Sequence, residues 1–132
     1  MTEDPNPYRL LGISSHENDY RLSWAANRQL KLSLRKSDNI LIKASDSENL
    51  EFSVFQYTDE GNSCKMNLIS NRCPNGFLIR ELKNIDFFLQ IFGEIPVGYM
   101  EEITAKLKSI DIVSAIFEIQ EKHKKTWNLP HE

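Results

Sequence analysis

Two carboxylates, Glu81 and Asp86, are the side chains whose type and spacing most readily support chemistry. They lie five positions apart in the apolar stretch from Gly76 to Gly93. Neighbouring carboxylates can act as a general acid and a general base when their surroundings separate their pKa values, or can bind a divalent cation together. In the structural alternative, Glu81 caps backbone N–H groups and Asp86 pairs with a cation such as Arg21 or Arg72.

A second group, Asp19, Arg21 and Trp24, falls on a predicted helix. Tryptophan and arginine are enriched in the hot spots of protein interfaces, so this group predicts an anchor for a protein partner. The alternative interpretation places Trp24 in the core, because a tryptophan contributes a large apolar area to packing. Asp19 and Arg21 then only solvate the helix surface.

Ligands for soft metals are few and are not spaced as in known metal sites. The candidates are His16, His123, His131, Cys64 and Cys73. No CxxC or HxxxH spacing occurs among them, so the sequence indicates no zinc site. Cys73 with His16 is a conceivable nucleophilic pair, whereas Cys64 alternates with core positions and is predicted to be inert. Phosphate-binding and hydrolase motifs are absent from the sequence, so we predict no cofactor and no enzymatic activity.

Composition indicates one ordinary globular domain. The chain has 132 residues, of which 40% are hydrophobic and 27% charged, and its net charge is −3. Acidic and basic residues are interspersed, so no general basic field attracts nucleic acid or an anionic membrane. The run Lys122-His123-Lys124-Lys125 beside Trp127 offers weak RNA contact as an alternative to a solvated tail.

The start of the chain, MTEDPNPYRL, has neither the basic region nor the apolar region of a secretory signal. No apolar run approaches the roughly 20 residues needed to span a bilayer. A lone pair of cysteines in a chain without an export signal is typical of reduced thiols. We therefore predict a cytoplasmic protein without a membrane partner.

Hydrophobic periodicity predicts the elements that would position these groups. A first strand covers residues 8–13, and an amphipathic helix, capped by Ser15 or Asn18, covers residues 19–29 and gives way to extended chain near residue 31. A strand follows at 39–44, and a hairpin joins 51–58 to 63–70 through Asp59-Glu60-Gly61-Asn62. Residues 71–76 contain Pro-Asn-Gly and are predicted to be a loop.

Residues 77–93 fit both a helical period and a buried strand, and we predict a strand at 86–92 because the apolar run is short and ends at Gly93. Pro96 can occupy the first turn of a helix at 97–108. A strand at 112–119 completes a strand, helix and strand of the length of a right-handed βαβ unit.

The element order β-α-β-β-β-β-α-β predicts an α+β fold. We expect a single mixed, mainly antiparallel sheet with two helices packed on one face, as a ferredoxin-like variant with extra strands. Residues 1–7 are a loose lead-in, residues 8–120 the single domain, and residues 121–132 a charged tail.

Residues 79–87 resemble the motif that names the bacterial IPExxxVDY family. Three positions match, Ile79, Glu81 and Asp86, whereas Arg80, Ile85 and Phe87 replace the proline, valine and tyrosine of the motif. Further segments similar to the family are Leu11 to His16, Asp19 to Leu22 with Trp24, Leu68 to Arg72 and Gly76 to Ile79. The resemblance covers most of residues 8–120. It implies a single compact domain and carries over no catalytic residue.

The sequence therefore predicts a binding or protein-interaction module. Its expected surface comprises the turn from Arg80 to Asp86, with Phe87 packed beneath it, and the helix residues Asp19, Arg21 and Trp24. Since an open sheet has edge strands that proteins either protect or use, an edge-paired homodimer is the simplest assembly. The rival hypothesis is a small-molecule-binding or divalent-cation-binding protein, or a hydrolase, that uses Glu81 and Asp86.

Overall fold

The computed structural model describes residues 8–43, 49–62, 64–74 and 76–119. Within these ranges the chain forms two α-helices, ten strands and two short 3₁₀ turns. The elements in chain order are β1 (Tyr8–Ser15), α1 (Asp19–Leu30), β2 (Arg35–Lys36), β3 (Ile40–Lys43), β4 (Asn49–Phe52), β5 (Val54–Asp59), a 3₁₀ turn (Glu60–Asn62), β6 (Cys64–Ser70), β7 (Arg72–Cys73), β8 (Gly76–Phe77), a second 3₁₀ turn (Arg80–Leu82), β9 (Phe87–Phe92), α2 (Tyr99–Lys108) and β10 (Val113–Glu118).

Six strands form the main sheet in the order β10-β1-β9-β6-β5-β2. Each neighbouring pair in this order is antiparallel. Strands β9 and β10 therefore run parallel to each other on either side of β1, and α2 connects them. The predicted α+β class with a mainly antiparallel sheet is confirmed, and the predicted strand-helix-strand unit is split by the first strand of the chain.

Asparagine side chains make hydrogen bonds to the backbone at both ends of helix α1. Asn18 is the N-cap, and its side-chain oxygen accepts a hydrogen bond from the Arg21 backbone N–H at 2.8 Å. The helix ends at Lys31, whose φ of 57° lies in the left-handed region. The side chain of Asn27 then makes two hydrogen bonds to the backbone of Leu34, which directs the chain towards β2.

Both helices pack on one face of the main sheet. Leu22 and Ala26 of α1, with Met100, Ile103 and Leu107 of α2, share one buried cluster with inward residues of the central strands. These strand residues are Leu11, Ile13, Phe55, Met66, Leu68, Phe87, Leu89 and Ile91. Their alternation along each strand is the pattern of a sheet that buries this face against helices.

The opposite face of the sheet is covered by the segment between β8 and β9 rather than by helices. Phe88 and Leu10 pack there with Ile79 and Ile85 from the segment between β8 and β9. Gly12 of β1 allows this approach, because a Cβ at that position would lie 2.8 Å from Cδ1 of Ile85. The sheet is consequently buried on both faces along its central strands.

The predicted strand at 51–58 is divided at Ser53, which is a correction to the sequence analysis. Phe52 and Phe55 are both buried although they lie three positions apart, so one regular strand would place them on opposite faces. The chain instead ends β4, which pairs with β3 in a separate two-stranded sheet, and then starts β5 in the main sheet. A second small hairpin, β7 with β8, lies where we predicted only a loop.

Among the residues that the structure describes, neither helix has the length and apolar character needed to cross a bilayer. The predicted lead-in at 1–7 and the predicted tail at 121–132 lie outside these residues.

Candidate functional site

Asn71 holds the turn that carries the predicted carboxylate site. Its fully buried side-chain NH₂ donates to the carbonyl oxygens of Leu82 at 3.0 Å and Ile85 at 2.9 Å. Its side-chain oxygen accepts from the Ile79 N–H at 2.7 Å. In the backbone, the Asn71 N–H donates to the carbonyl of Asp86 at 2.9 Å. One asparagine thus fixes both ends of the segment from residue 79 to 86.

Sequence reasoning assigned no role to Asn71. The available signal was a short amide side chain at the junction of a strand and a Pro-Asn-Gly loop, where asparagine often bonds to nearby backbone. That signal does not reveal contacts reaching as far as Ile85. The backbone groups of Ile79, Leu82 and Ile85 come within hydrogen-bond distance of Asn71 only when the turn folds over the sheet.

Both carboxylate oxygens of Asp86 have partners. Oδ1 lies 2.5 Å from Nε of Arg72, and Oδ2 accepts from the Ser15 N–H at 2.7 Å. The Asp86 side chain is only 14% exposed. Arg72 also donates to the carbonyl of Lys83, and its guanidinium stacks over the ring of Phe77. Asp86 therefore joins β1, β9 and the chain after β6, as the structural alternative with Arg72 predicted.

Glu81 lies apart from this cluster. It is exposed on the 3₁₀ turn, and within the described residues its carboxylate has no hydrogen-bond partner, so the predicted capping role is wrong. A cavity of about 710 Å³ beside Asp86 is lined also by Asp19, His16 and Arg72, but not by Glu81. The structure thus does not place the two predicted carboxylates in this one cavity. In the described part of the chain, no three side chains of the metal-binding types come together.

The other residues of the predicted turn surface differ in exposure. Arg80 is exposed like Glu81, whereas Phe87 is buried on the helix face of the main sheet. The prediction that Phe87 packs beneath the turn is wrong, because Ile79 and Ile85 of the turn pack on the opposite face with Phe88. Phe87 is therefore not available to a partner, and the accessible part of the turn is small and charged.

Trp24 projects from α1 and is 56% exposed, so the interpretation that places it in the core is wrong. Tyr20, one turn earlier, is 68% exposed. Arg28, one turn later, places its guanidinium carbon 5.0 Å from the centre of the Trp24 ring. Residues four positions apart share a helix face, so Tyr20, Trp24 and Arg28 form one continuous stripe. Arg28 is not among the residues predicted from the sequence, although its spacing of four positions from Trp24 is a local signal.

This stripe forms one wall of an open groove of about 630 Å³, here called the Trp24 groove. The segment from Ser109 to Ile112, between α2 and β10, forms the other wall. Gln29 Nε2 donates to Ser109 Oγ at 2.8 Å and ties the two walls together. The lining residues are Tyr20, Arg21, Trp24, Ala25, Arg28, Gln29, Ser109, Ile110, Asp111 and Ile112.

The groove combines apolar surface with charged groups of both signs, which are Arg21 and Arg28 on α1 and Asp111 on the facing wall. Ile110, Ile112 and Ala25 contribute aliphatic area beside the indole of Trp24. Arg21 pairs with Glu17 at 3.3 Å along the helix, and Asp19 accepts from the Tyr20 N–H in the first turn. The predicted group of Asp19, Arg21 and Trp24 is thus divided, because Asp19 lines the cavity beside Asp86 while Arg21 and Trp24 line the groove.

The cysteine and histidine candidates do not assemble within the described residues. Cys64 and Cys73 are free and partly buried, and His16 is exposed. Burial raises the pKa of the Cys64 thiol, and the negative charge of Asp59 raises it further. Both effects disfavour a thiolate, in agreement with the predicted inertness of Cys64. His123, His131, the basic run at 122–125 and Trp127 lie outside the described residues.

Because the pKa of Cys64 is raised, the free energy of unfolding depends on pH in the alkaline range. The protonated thiol contributes fully below its unfolded-state pKa of about 8.5, and this contribution is lost as pH rises through the higher folded-state pKa. We expect the free energy of unfolding to fall with pH in this range, and Cys64→Ala to make the slope shallower. Urea denaturation at a series of pH values measures both slopes. Equal slopes for the two proteins would contradict the assignment. In the variant, burial still raises the pKa values of Tyr57 and Tyr99, although both lose the smaller contribution of the Cys64 charge.

No protein-family model matches the chain, and no curated protein is significantly similar to it. The resemblance to the IPExxxVDY family accordingly stays a prediction.

Proposed function

We propose that this chain is a non-enzymatic protein-interaction module whose partner binds in the Trp24 groove. The observation that carries the proposal is the exposure of Trp24 and Tyr20 on one stripe of a folded helix. Large aromatic side chains at the surface are costly to leave in water, and contiguous apolar patches mark interaction sites. Tryptophan, tyrosine and arginine are also the residue types that most often dominate binding energy.

The groove favours a partner segment with one large apolar side chain and a nearby carboxylate. The apolar side chain would lie between Trp24 and Ile110, where both walls are apolar. The carboxylate would pair with Arg28, whose guanidinium already stacks on the indole and is therefore partly ordered before binding. Preordering reduces the entropy lost on association.

The carboxylates receive less support as a functional site. Asp86 is engaged by Arg72 and Ser15, and Glu81 does not line the cavity beside it. The rival hypothesis of a hydrolase or cation-binding protein needs both carboxylates at one point. We therefore favour the interaction module and propose that the turn from Arg80 to Asp86 has a structural role.

The test is an affinity pull-down from native lysate followed by titration of the captured partner. We expect Trp24→Ala to weaken binding by about thirtyfold or more, because truncating a hot-spot residue costs at least about 2 kcal/mol. Arg28→Ala should weaken it less. Leu41→Ala is the matched control, since Leu41 is also a large exposed apolar residue but lies on β3.

A folded Glu81→Gln/Asp86→Asn variant separates the two candidate surfaces. Full binding by this variant together with loss by Trp24→Ala assigns the partner to the groove. The reverse result would move the interaction to the turn from Arg80 to Asp86. A partner that binds Trp24→Ala as tightly as wild type would refute the groove as the binding site.

A further inference from the structure

Two side chains of the Trp24 groove carry opposite charges and have no ion-pair partner. Arg28 lies on the α1 wall and Asp111 on the facing wall, and both are exposed. In the described ranges of the chain, the salt bridges involve neither of them, so they also do not pair with each other. Arg21, the other cation of the groove, is already paired with Glu17 at 3.3 Å. The groove therefore presents one available charge of each sign.

Two hydrogen bonds fix the direction of the wall that carries Asp111. Ser109, at the start of this wall, is held by Gln29 near the C-terminal end of α1. Ile112, at its other end, accepts a hydrogen bond at 2.6 Å from Oγ of Ser15, which precedes the N-terminal end of α1. The wall thus runs against the direction of the helix. Asp111, next to Ile112, lies on the side towards the start of α1, whereas the available cation lies towards the end of α1.

The segment around Asp111 is held in place by its own backbone. The Ile110 N–H donates to the carbonyl of Leu107 at 3.1 Å, and the Val113 N–H donates to the carbonyl of Ile110 at 3.0 Å. The Arg28 guanidinium is positioned in turn by its stacking on the indole of the groove. Charges that are already positioned lose less entropy when a partner binds. Both charges are therefore well placed to contribute to recognition.

We propose that the Trp24 groove binds a partner segment that carries an acidic and a basic side chain on either side of its apolar residue. This inference rests on the proposed function and specifies the partner. The acidic side chain pairs with Arg28, the apolar side chain lies against Trp24, and the basic side chain pairs with Asp111. Because the two charges lie towards opposite ends of α1, the acidic side of the segment lies towards the C-terminal end of the helix.

Charges of both signs in the groove discriminate against partners of a single sign. A segment with acidic side chains alone would place one of them against Asp111, and a segment with basic side chains alone would place one against Arg28. Like charges brought together at an interface repel and suppress binding of wrong partners. Repulsion of competitors contributes to specificity alongside attraction of the correct partner. Asp111 is thus a specificity-determining residue of the groove.

Selection from a library of random heptapeptides displayed on phage tests the inference, with the whole chain as bait. Peptides that bind wild type but not Trp24→Ala are the ligands of the groove. We expect them to carry an acidic and a basic residue on either side of a large apolar one. Asp111→Lys should instead enrich peptides with acidic residues on both sides, because the charge on this wall has changed sign. Glu94→Lys makes the same charge change on the exposed loop between β9 and α2 and should enrich the same peptides as wild type.

Calorimetric titration of one enriched peptide measures the contribution of Asp111 directly. We expect Asp111→Asn to raise the Kd of this peptide roughly two- to fivefold, the range of an exposed ion pair. A groove that recognises only a carboxylate predicts the opposite sign, since the substitution would then remove a repulsion. Unchanged or tighter binding by Asp111→Asn therefore overturns the inference and leaves the proposed function standing.

The selection distinguishes failure of the inference from failure of the proposed function. Trp24-dependent peptides with charges of one sign only overturn the inference alone. Identical peptides from wild type and Asp111→Lys do the same. A selection that yields no Trp24-dependent peptide refutes the proposed function, and the inference with it.

Discussion

Asn71→Ala is expected to lower the free energy of unfolding by about 3–5 kcal/mol. The substitution leaves the Ile79 N–H and the carbonyls of Leu82 and Ile85 without their side-chain partner. Each buried polar group left unsatisfied costs about 1–3 kcal/mol. Water cannot fully replace the amide, since Asn71 is completely buried. Urea denaturation followed by far-UV circular dichroism measures the loss.

Asn84→Ala is the control for this substitution. The Asn84 side chain is exposed at the end of the same turn, so its removal should change stability by no more than about 0.5 kcal/mol. Asn71→Asp should not restore stability, because a carboxylate accepts from Ile79 but cannot donate to the two carbonyls. If Asn71→Ala cost as little as Asn84→Ala, the turn would not depend on this asparagine.

Phe88→Ala is expected to cost about 3–5 kcal/mol of stability, the usual loss when a fully buried phenylalanine is truncated. The ring lies on the face of the sheet away from the helices, where it packs with Ile79 and Ile85. Phe88→Leu keeps most of the apolar volume, so we expect a smaller loss of about 1–2 kcal/mol. Thermal and urea denaturation of the three proteins measure the series.

Phe117→Ala, studied in dilute solution, is the matched control because Phe117 lies on the same face but remains exposed. Its effect should stay below about 1 kcal/mol. Equal losses for Phe88→Ala and Phe117→Ala would mean that the second face of the sheet is not a packed core. The comparison therefore tests the two-sided burial of the sheet directly.

The helices and long strands could be predicted because their signals are local. Leu22, Ala26 and Leu30 recur at helical spacing, and the predicted helix at 19–29 differs by one residue from α1. The strand predicted at 86–92 likewise differs by one residue from β9. The break at Ser53 could not be read from β-propensity, since it depends on which sheet each half of the run joins.

The candidate site was harder to predict because it depends on contacts between distant parts of the chain. Glu81 and Asp86 were grouped by their proximity in sequence, but the hydrogen bonds of Asn71 determine the path between them. Trp24 lies on the flank of an amphipathic helix, where burial depends on the position of the neighbouring helix rather than on periodicity. The hot-spot interpretation predicted its exposure correctly, whereas its apolar area alone favoured the core.

The position of β1 between β9 and β10 sets the order in which this chain can fold during synthesis. Tyr8 to Ile13 are synthesised before every other described strand, yet their strand partners are among the last described residues to be made. Pairing Ile13 with Ile116 closes a loop of nearly the whole described chain, and such long closures slow folding. In the nascent chain, the apolar strand β1 therefore has neither of its strand partners until β9 and β10 have been synthesised. During that interval β1 is the segment most exposed to misassociation with other chains.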